Sequence, residues 1–251
     1  MTDFLKLGKN TSGRDFIVGD IHFKMPDFFQ GLNELDFNPA RDRIISVGDL
    51  VDRGPDPASG LKLLDQPWFH MVMGNHEQML IQAYDNDPYG SSPARGAAWW
   101  DLINERSRFQ IVQRLKSLPV AIELGAEQGL IGIVHADVPI GMGWSDFKND
   151  IVNDETKHYA LWGQKRVRDA IVSGVHGVWR VCAGHTKVQA PLRLGNYLAL
   201  DCTGGNEGAL AFYAVKEDRI YTFDRCSGQL IPDSVLRFSS AATGEIPPLN
   251  A

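Results

Sequence analysis

Apolar residues gather into eight short runs along the chain, at 16–19, 43–47, 68–73, 120–124, 130–134, 179–183, 197–200 and 210–215. Each run has the length of a β-strand. Between the early runs the spacing changes. Phe28, Phe29, Leu32 and Leu35 recur at helical intervals over 25–35, and 57–64 and 77–84 repeat the pattern more briefly. The longest amphipathic stretch is 94–118, which predicts one long helix there and a βαβα order for the first half. Later runs lie closer together and are punctuated by Gly195-Asn196 and Gly204-Gly205-Asn206, which favours hairpins and an antiparallel or mixed sheet. Residues 86–96, rich in Pro, Gly and Ser, read as a surface loop, and the chain from 239 reads as a frayed, flexible tail. With no internal repeat or low-complexity tract, the expectation is one continuous α/β (α+β) domain over 1–251. Trp68, Trp99, Trp100, Trp162 and Trp179 are read as packing residues, with Trp99-Trp100 in the core or on the face of a lid, and are given no chemistry.

Composition narrows the class without naming an activity. The 251 residues are 43% hydrophobic and 22% charged, enough to bury a sizeable core and incompatible with disorder of the whole. A formal net charge of -6 argues against nucleic acid as a partner, because no basic excess is present to displace counterions. No apolar run approaches the roughly 20 residues that span a bilayer, and the Met1-Thr2-Asp3-Phe4 start lacks the pattern of a signal peptide. A cytoplasmic protein with no membrane partner is expected. Cys182, Cys202 and Cys226 lack metal-finger spacing and read as reduced, packed thiols.

The chemistry lies where strands end. Three early runs lead into Gly19-Asp20-Ile21-His22, Gly48-Asp49-Leu50-Val51-Asp52-Arg53-Gly54 and Gly74-Asn75-His76-Glu77. Two later ones lead into His135-Ala136-Asp137 and Gly184-His185-Thr186. Loops at the carboxyl ends of strands converge on one crevice in α/β sheets, so these segments are expected to meet. Asp20, Asp49, Asn75, His22, His135 and His185 form an oxygen- and nitrogen-rich set suited to Mn²⁺, Fe²⁺ or Zn²⁺ and unlike a thiolate site. Six ligands from five loops fit two ions about 3.5–4 Å apart better than one. Asp49, central in order, is the candidate for a shared carboxylate, and each preceding glycine is read as the sharp turn that aims a ligand into the crevice.

Together these segments resemble the signature set of calcineurin-like metallophosphoesterases, and more narrowly the bacterial and phage branch of the PPP-type serine/threonine protein phosphatases. The resemblance covers about residues 14 to 215. It implies a sandwich of mixed β-sheets flanked by helices, with two divalent metal ions, Mn²⁺ foremost, at the carboxyl-terminal rim. One ion would be held by Asp20, His22 and Asp49, the other by Asp49, Asn75, His135 and His185. A hydroxide between the ions would attack phosphorus in line, Arg53 would neutralise phosphoryl charge, and His76, oriented by Asp52, would protonate the leaving group. The implied substrate is a phosphorylated protein or a small phosphoester.

Three positions depart from the family pattern. Met73 and Gln164 stand where arginines usually contact the phosphate, and Phe23 stands where glycine is common. Losing two bidentate cations weakens a phosphomonoester dianion more than a diester or internal anhydride. A dinucleoside polyphosphate hydrolase or phosphodiesterase is therefore the alternative reading. Arg166 and Arg168, a turn beyond Gln164, are candidates to reach the phosphate instead, set against the favoured reading as solvated helix charges, and Phe23 is read as a side chain that narrows the cleft or stacks on a leaving group. His70, His158 and His176 match no motif.

Overall fold

The computed structural model describes residues 3–92, 94, 96–203, 208–224, 226–232 and 236–238. Its first half runs β1 (Phe4–Leu7), β2 (Asp15–Val18), α1 (Met25–Glu34), β3 (Arg43–Ser46), α2 (Pro57–Leu63), β4 (Phe69–Met71), α3 (Asn75–Asn86), α4 (Ala98–Asp101) and α5 (Glu105–Leu115). The second half opens with β5 (Ala121–Gly125), β6 (Leu130–Val134), α6 (Trp144–Asp150), α7 (Asp154–Trp162), α8 (Lys165–Arg168) and β7 (Arg180–Ala183). It continues through β8 (Leu192–Leu194), β9 (Tyr197–Ala199), β10 (Ala211–Ala214), β11 (Arg219–Asp224), β12 (Gln229–Pro232) and β13 (Leu236–Phe238).

The strands form two mixed sheets, ordered β1-β5-β6-β7-β9-β8-β13 and β12-β11-β10-β2-β3-β4. In the second sheet β2, β3 and β4 are parallel neighbours, linked by α1 and α2. In the first, β6, β7 and β9 are parallel neighbours. Strand alternation divides the side chains between layers. Ile17 and Ile45 enter the core between the sheets with Ile122, Ile133, Val181 and Tyr213. Phe16, Val18 and Ile44 point the other way and are covered by Met25, Phe28 and Leu32 of α1 and Leu63 of α2. A third cluster joins α3, α4, α5 and α7 through Leu80, Ile81, Trp100, Val112, Leu115 and Leu161.

Two expectations change. The long helix over 94–118 is two helices, because the Asn104 side chain accepts the Ser107 N–H and caps a new start at Glu105, an N-cap role that asparagine fills well. The second half also holds three helices, α6 to α8, that apolar runs alone did not reveal. β1, β8 and β11 to β13 were likewise unmarked, being short or half-exposed strands whose pairing supplies what their sequence lacks. The Gly195-Asn196 hairpin is present, joining β8 to β9 with Gly195 at φ +61. Gly204-Gly205-Asn206 and the tail from 239 lie outside the described residues. No helix among the described residues is long and apolar enough to cross a membrane.

Candidate active site

The loops after β2, β3 and β4 and those after β6, β7 and β9 open at the same end of the molecule, where the two sheets meet. Their backbones are unusual. His22, Phe23, Asp49, Asp52, Arg53 and His185 all have φ between 46° and 72°, a left-handed conformation that costs a non-glycine residue about 1 kcal/mol or more. Such strain persists only where surrounding bonds over-determine the loop, and Glu77 supplies many of them. Its wholly buried carboxylate accepts the N–H groups of Leu50 and Val51 at one oxygen and of Asp49 and Gly74 at the other, at 2.8–3.0 Å. The second and third loops are thereby locked together through the first turn of α3.

The glycines before the ligands act by size more than by turn. Of Gly19, Gly48, Gly74 and Gly184, Gly48 has positive φ, at +102. A Cβ on Gly184 would sit 1.9 Å from Asp20 Oδ1, and one on Gly74 2.2 Å from Asp49 Oδ1. Space for the neighbouring carboxylate is what these positions demand.

Each imidazole is oriented by a neighbouring loop. His22 Nδ1 lies 2.9 Å from the Val51 carbonyl and His135 Nδ1 2.9 Å from the Val47 carbonyl, so those nitrogens carry the proton and both Nε2 lone pairs face inward. The His185 Nδ1 meets Asn75 Oδ1 at 3.0 Å. His135 Nε2 meets the same Asn75 oxygen at 2.8 Å. Inward lone pairs of nitrogen facing oxygen acceptors, with a carbonyl behind the His22 and His135 rings, are a donor arrangement that suits a divalent cation. Two groups of donor atoms lie within 4.8 Å of one another, His22 with Asp49 and His76, and Asp20 with Asp49 and His135. Asp49 belongs to both. Thus all six ligand candidates enter one cluster, with Asn75 bridging the His135 and His185 rings.

Burial and like charge shape the electrostatics. Burial pushes Asp49 up to about 6, although the His76 charge opposes the rise. Burial, with the Asp201 and Asp49 carboxylates nearby, holds Asp20 well above the usual carboxylate range. Burial pushes His135 down to about 4 and His185, with His135 beside it, down to about 3. His135 and His185 are therefore neutral wherever Asp49 is ionised. A divalent cation held by these carboxylates would have to displace the protons that burial favours on Asp20 and Asp49, so the Mn²⁺ affinity of the metal-free protein is expected to fall, by about tenfold per unit for each protonated carboxyl, as pH drops below 6. Calorimetric titration in buffers of different ionisation enthalpy checks this, and proton release absent at pH 6 contradicts it.

Beside the cluster stands a second unit. His76 Nδ1 lies 2.7 Å from Asp52 Oδ2. Burial lowers the His76 pKa, but the Asp52 bond and the Asp49 charge outweigh it and the net direction is upward. Arg53 spans the mouth of the cluster, with its two terminal nitrogens 2.8 Å from His22 Nε2 and from His76 Nε2.

Several sequence expectations need correction here. Met73 does not face the crevice: it is buried with Leu80, Trp100, Ile111 and Leu161, so an apolar residue there serves packing. Arg166 is no solvated charge. It is 1% exposed, and its Nε donates to Asp137 Oδ1 at 2.7 Å while its other nitrogens donate to the Ser173 and Val138 carbonyls. It braces the His135 loop from behind. Phe23 is wholly buried and neither narrows the cleft nor offers a stacking face. Gln164 does reach the cluster, with its amide 3.2 Å from His185 Nε2.

Two participants escaped the sequence reading. Asp201, 1% exposed, follows β9 and accepts two bonds from Thr203, while its charge acts on Asp20, Asp49, His135 and His185. The signal was present, since the run 197–200 also ends in a carboxylate. Trp99, dismissed as packing, donates its indole N–H to Asp52 Oδ1 at 2.8 Å, and nothing in its helical pattern marked that bond.

Known proteins resemble this chain in sequence and in fold. The chain is 31% identical over 221 residues to serine/threonine-protein phosphatase 2 of Escherichia coli (strain K12), covering 86% of this chain and 99% of that one. It is 31% identical over 126 residues to the symmetrical bis(5'-nucleosyl)-tetraphosphatase of Shewanella sp. (strain MR-7), covering 49% of this chain and 44% of that one. A crystal structure provisionally described as a diadenosine tetraphosphatase superposes with a TM-score of 0.66 at 22% identity over 92% of this chain and 98% of that one, a likeness of fold. The profile of the calcineurin-like phosphoesterases matches residues 16–202, which contain every loop of the cluster. The chain belongs to the calcineurin-like phosphoesterase family and is a metal-dependent phosphatase.

Proposed function

We propose that the protein is a cytoplasmic serine/threonine phosphoprotein phosphatase working with two divalent ions, Mn²⁺ foremost and Fe²⁺ or Zn²⁺ as alternatives. The observation that carries the two-ion reading is Asp49, which belongs both to a donor group with Asp20 and His135 and to one with His22 and His76, the His76 ring being engaged on its other nitrogen by Asp52. Asp20, His22 and Asp49 would hold one ion, and Asp49, Asn75, His135 and His185 the other. Bound divalent ions supply Lewis acidity toward phosphoryl oxygens and acidify water at the crevice. The chain's own residues do the rest. Arg53, poised between two imidazoles, releases them to bind phosphoryl oxygens through its planar fork. His76, kept in orientation by Asp52, gives the Nε2 proton to the serine or threonine oxygen as it leaves. Gln164, a neutral amide in the crevice, contacts the substrate or steadies His185.

The E. coli relative supports phosphoprotein as the substrate class. A second reading, hydrolysis of dinucleoside polyphosphates, is favoured by the presence of Arg53 as the guanidinium seen bridging the crevice imidazoles, with neutral Gln164 opposite. Lower charge per phosphorus suits such a site. The deciding measurement is kcat/KM with Mn²⁺ for a phosphoserine peptide and for diadenosine tetraphosphate, side by side. Preference for the peptide is expected. Preference for the dinucleotide overturns the substrate assignment, and the absence of turnover on both overturns the phosphatase reading itself.

A further inference from the structure

The Asp52 carboxylate has two bonds that run in different directions. Oδ2 holds His76 at 2.7 Å, and Oδ1 accepts the Trp99 indole N–H at 2.8 Å. Asp52 is wholly buried, so the indole satisfies an oxygen that would otherwise want a partner, and it fixes the plane of the carboxylate. Trp99 is itself held from several sides. Its ring meets the edge of Phe23 at 5.2 Å and of Trp100 at 5.7 Å. Phe23 fits because residue 60 is glycine, where a Cβ would lie 2.3 Å from the Phe23 ring. Trp100 is wholly buried under the Arg108 guanidinium, 5.0 Å from its ring, and Arg108 also donates to the Pro88 and Gly90 carbonyls. The same segment reaches the neighbouring residue, since the Gly96 carbonyl accepts the Arg53 N–H at 3.1 Å.

We propose that Trp99, braced by Phe23, is a positioning residue that aims the general acid by locking Asp52. The inference rests on the proposed role of His76 as the proton donor to the leaving group. Without the indole bond Asp52 can turn about its side-chain torsions, and Nε2 of His76 no longer points steadily at the leaving oxygen. Misplacement of this kind costs most where the departing oxygen most needs a proton. A merely structural tryptophan lowers all substrates alike.

The test compares phenyl phosphate, a poor leaving group, with p-nitrophenyl phosphate, a good one, on the full-length, Mn²⁺-loaded enzyme. Trp99→Phe keeps a ring against Phe23 and removes the donor. It is expected to lower kcat for phenyl phosphate about tenfold more than for p-nitrophenyl phosphate. In a His76→Asn background the same substitution is expected to add little further discrimination, because both changes act through one group. Equal losses on the two substrates, or a full additional loss in the His76→Asn background, overturn the inference. If Trp99→Phe does not fold, Phe23→Leu, which loosens the brace, is expected to show the same bias on a smaller scale, and an unbiased loss overturns it equally. Should His76→Asn alone show no leaving-group bias, the general-acid reading fails; a bias there without one in Trp99→Phe leaves that reading standing and removes only this inference.

Discussion

Asp49→Asn is expected to abolish stoichiometric metal uptake and to lower turnover by about three orders of magnitude or more, because one substitution weakens both donor groups at once. The replacement is nearly isosteric. The asparagine carbonyl can still accept the His76 N–H that Asp49 Oδ1 accepts at 3.0 Å, so the loop has no reason to collapse. Stability should move the other way. Burial raises the folded-state pKa of Asp49 to about 6, above the ordinary carboxylate value. The stability associated with a raised carboxyl is fully present below the unfolded pKa and is lost as pH climbs through the folded one. At pH 8 the metal-free wild type therefore carries an unfavourable buried charge, and metal-free Asp49→Asn should melt at a higher temperature than metal-free wild type. Metal content by elemental analysis, kcat/KM and Tm together form the check. Normal turnover with bound metal removes the two-ion proposal; a large drop in Tm shows that the substitution acts through folding.

His76→Asn is the second large effect, expected to retain metal and to lower kcat for a phosphoserine peptide by about 10²–10⁴-fold. The loss on p-nitrophenyl phosphate should be much smaller, since nitrophenolate departs with little protonation. His76 is well placed for such a role: Asp52 fixes one ring nitrogen and the other faces Arg53 at the mouth of the cluster. Asparagine cannot donate a proton but fills similar space, which separates acid catalysis from packing. An equal loss on both substrates removes the assignment.

The ligand loops were legible because their grammar is local. A strand followed by Gly and an Asp, Asn or His is visible in a few residues, and parallel order in β2, β3 and β4 necessarily carries three such endings to one edge. Asp201 also follows a strand, but Leu200 and not glycine precedes it, and its loop runs into Cys202-Thr203 with no histidine to draw notice. Trp99 escaped notice for a different reason. An aromatic side chain that packs on one face and donates from its edge has the same periodicity as one that only packs, so its hydrogen bond is invisible until Asp52 stands opposite. Met73 and Arg166 erred in opposite directions, one taken for a cleft residue and one for a surface charge, because the direction of a side chain at a strand end or on a short helix is decided by which neighbour claims it.

What the amino-acid order determined by itself was the set of reactive groups and their sequence along successive strand ends, since short apolar runs and glycine placement act over neighbouring residues. Tertiary structure alone decided their partnership. The sharing of Asp49 between two donor groups, the Glu77 clamp on the Asp49, Leu50 and Val51 amides and the line from Phe23 through Trp99 and Asp52 to His76 join residues 24 or more positions apart. Long-range hydrogen bonds of this kind depend on angles and distances set by two packed sheets, and no local pattern encodes them.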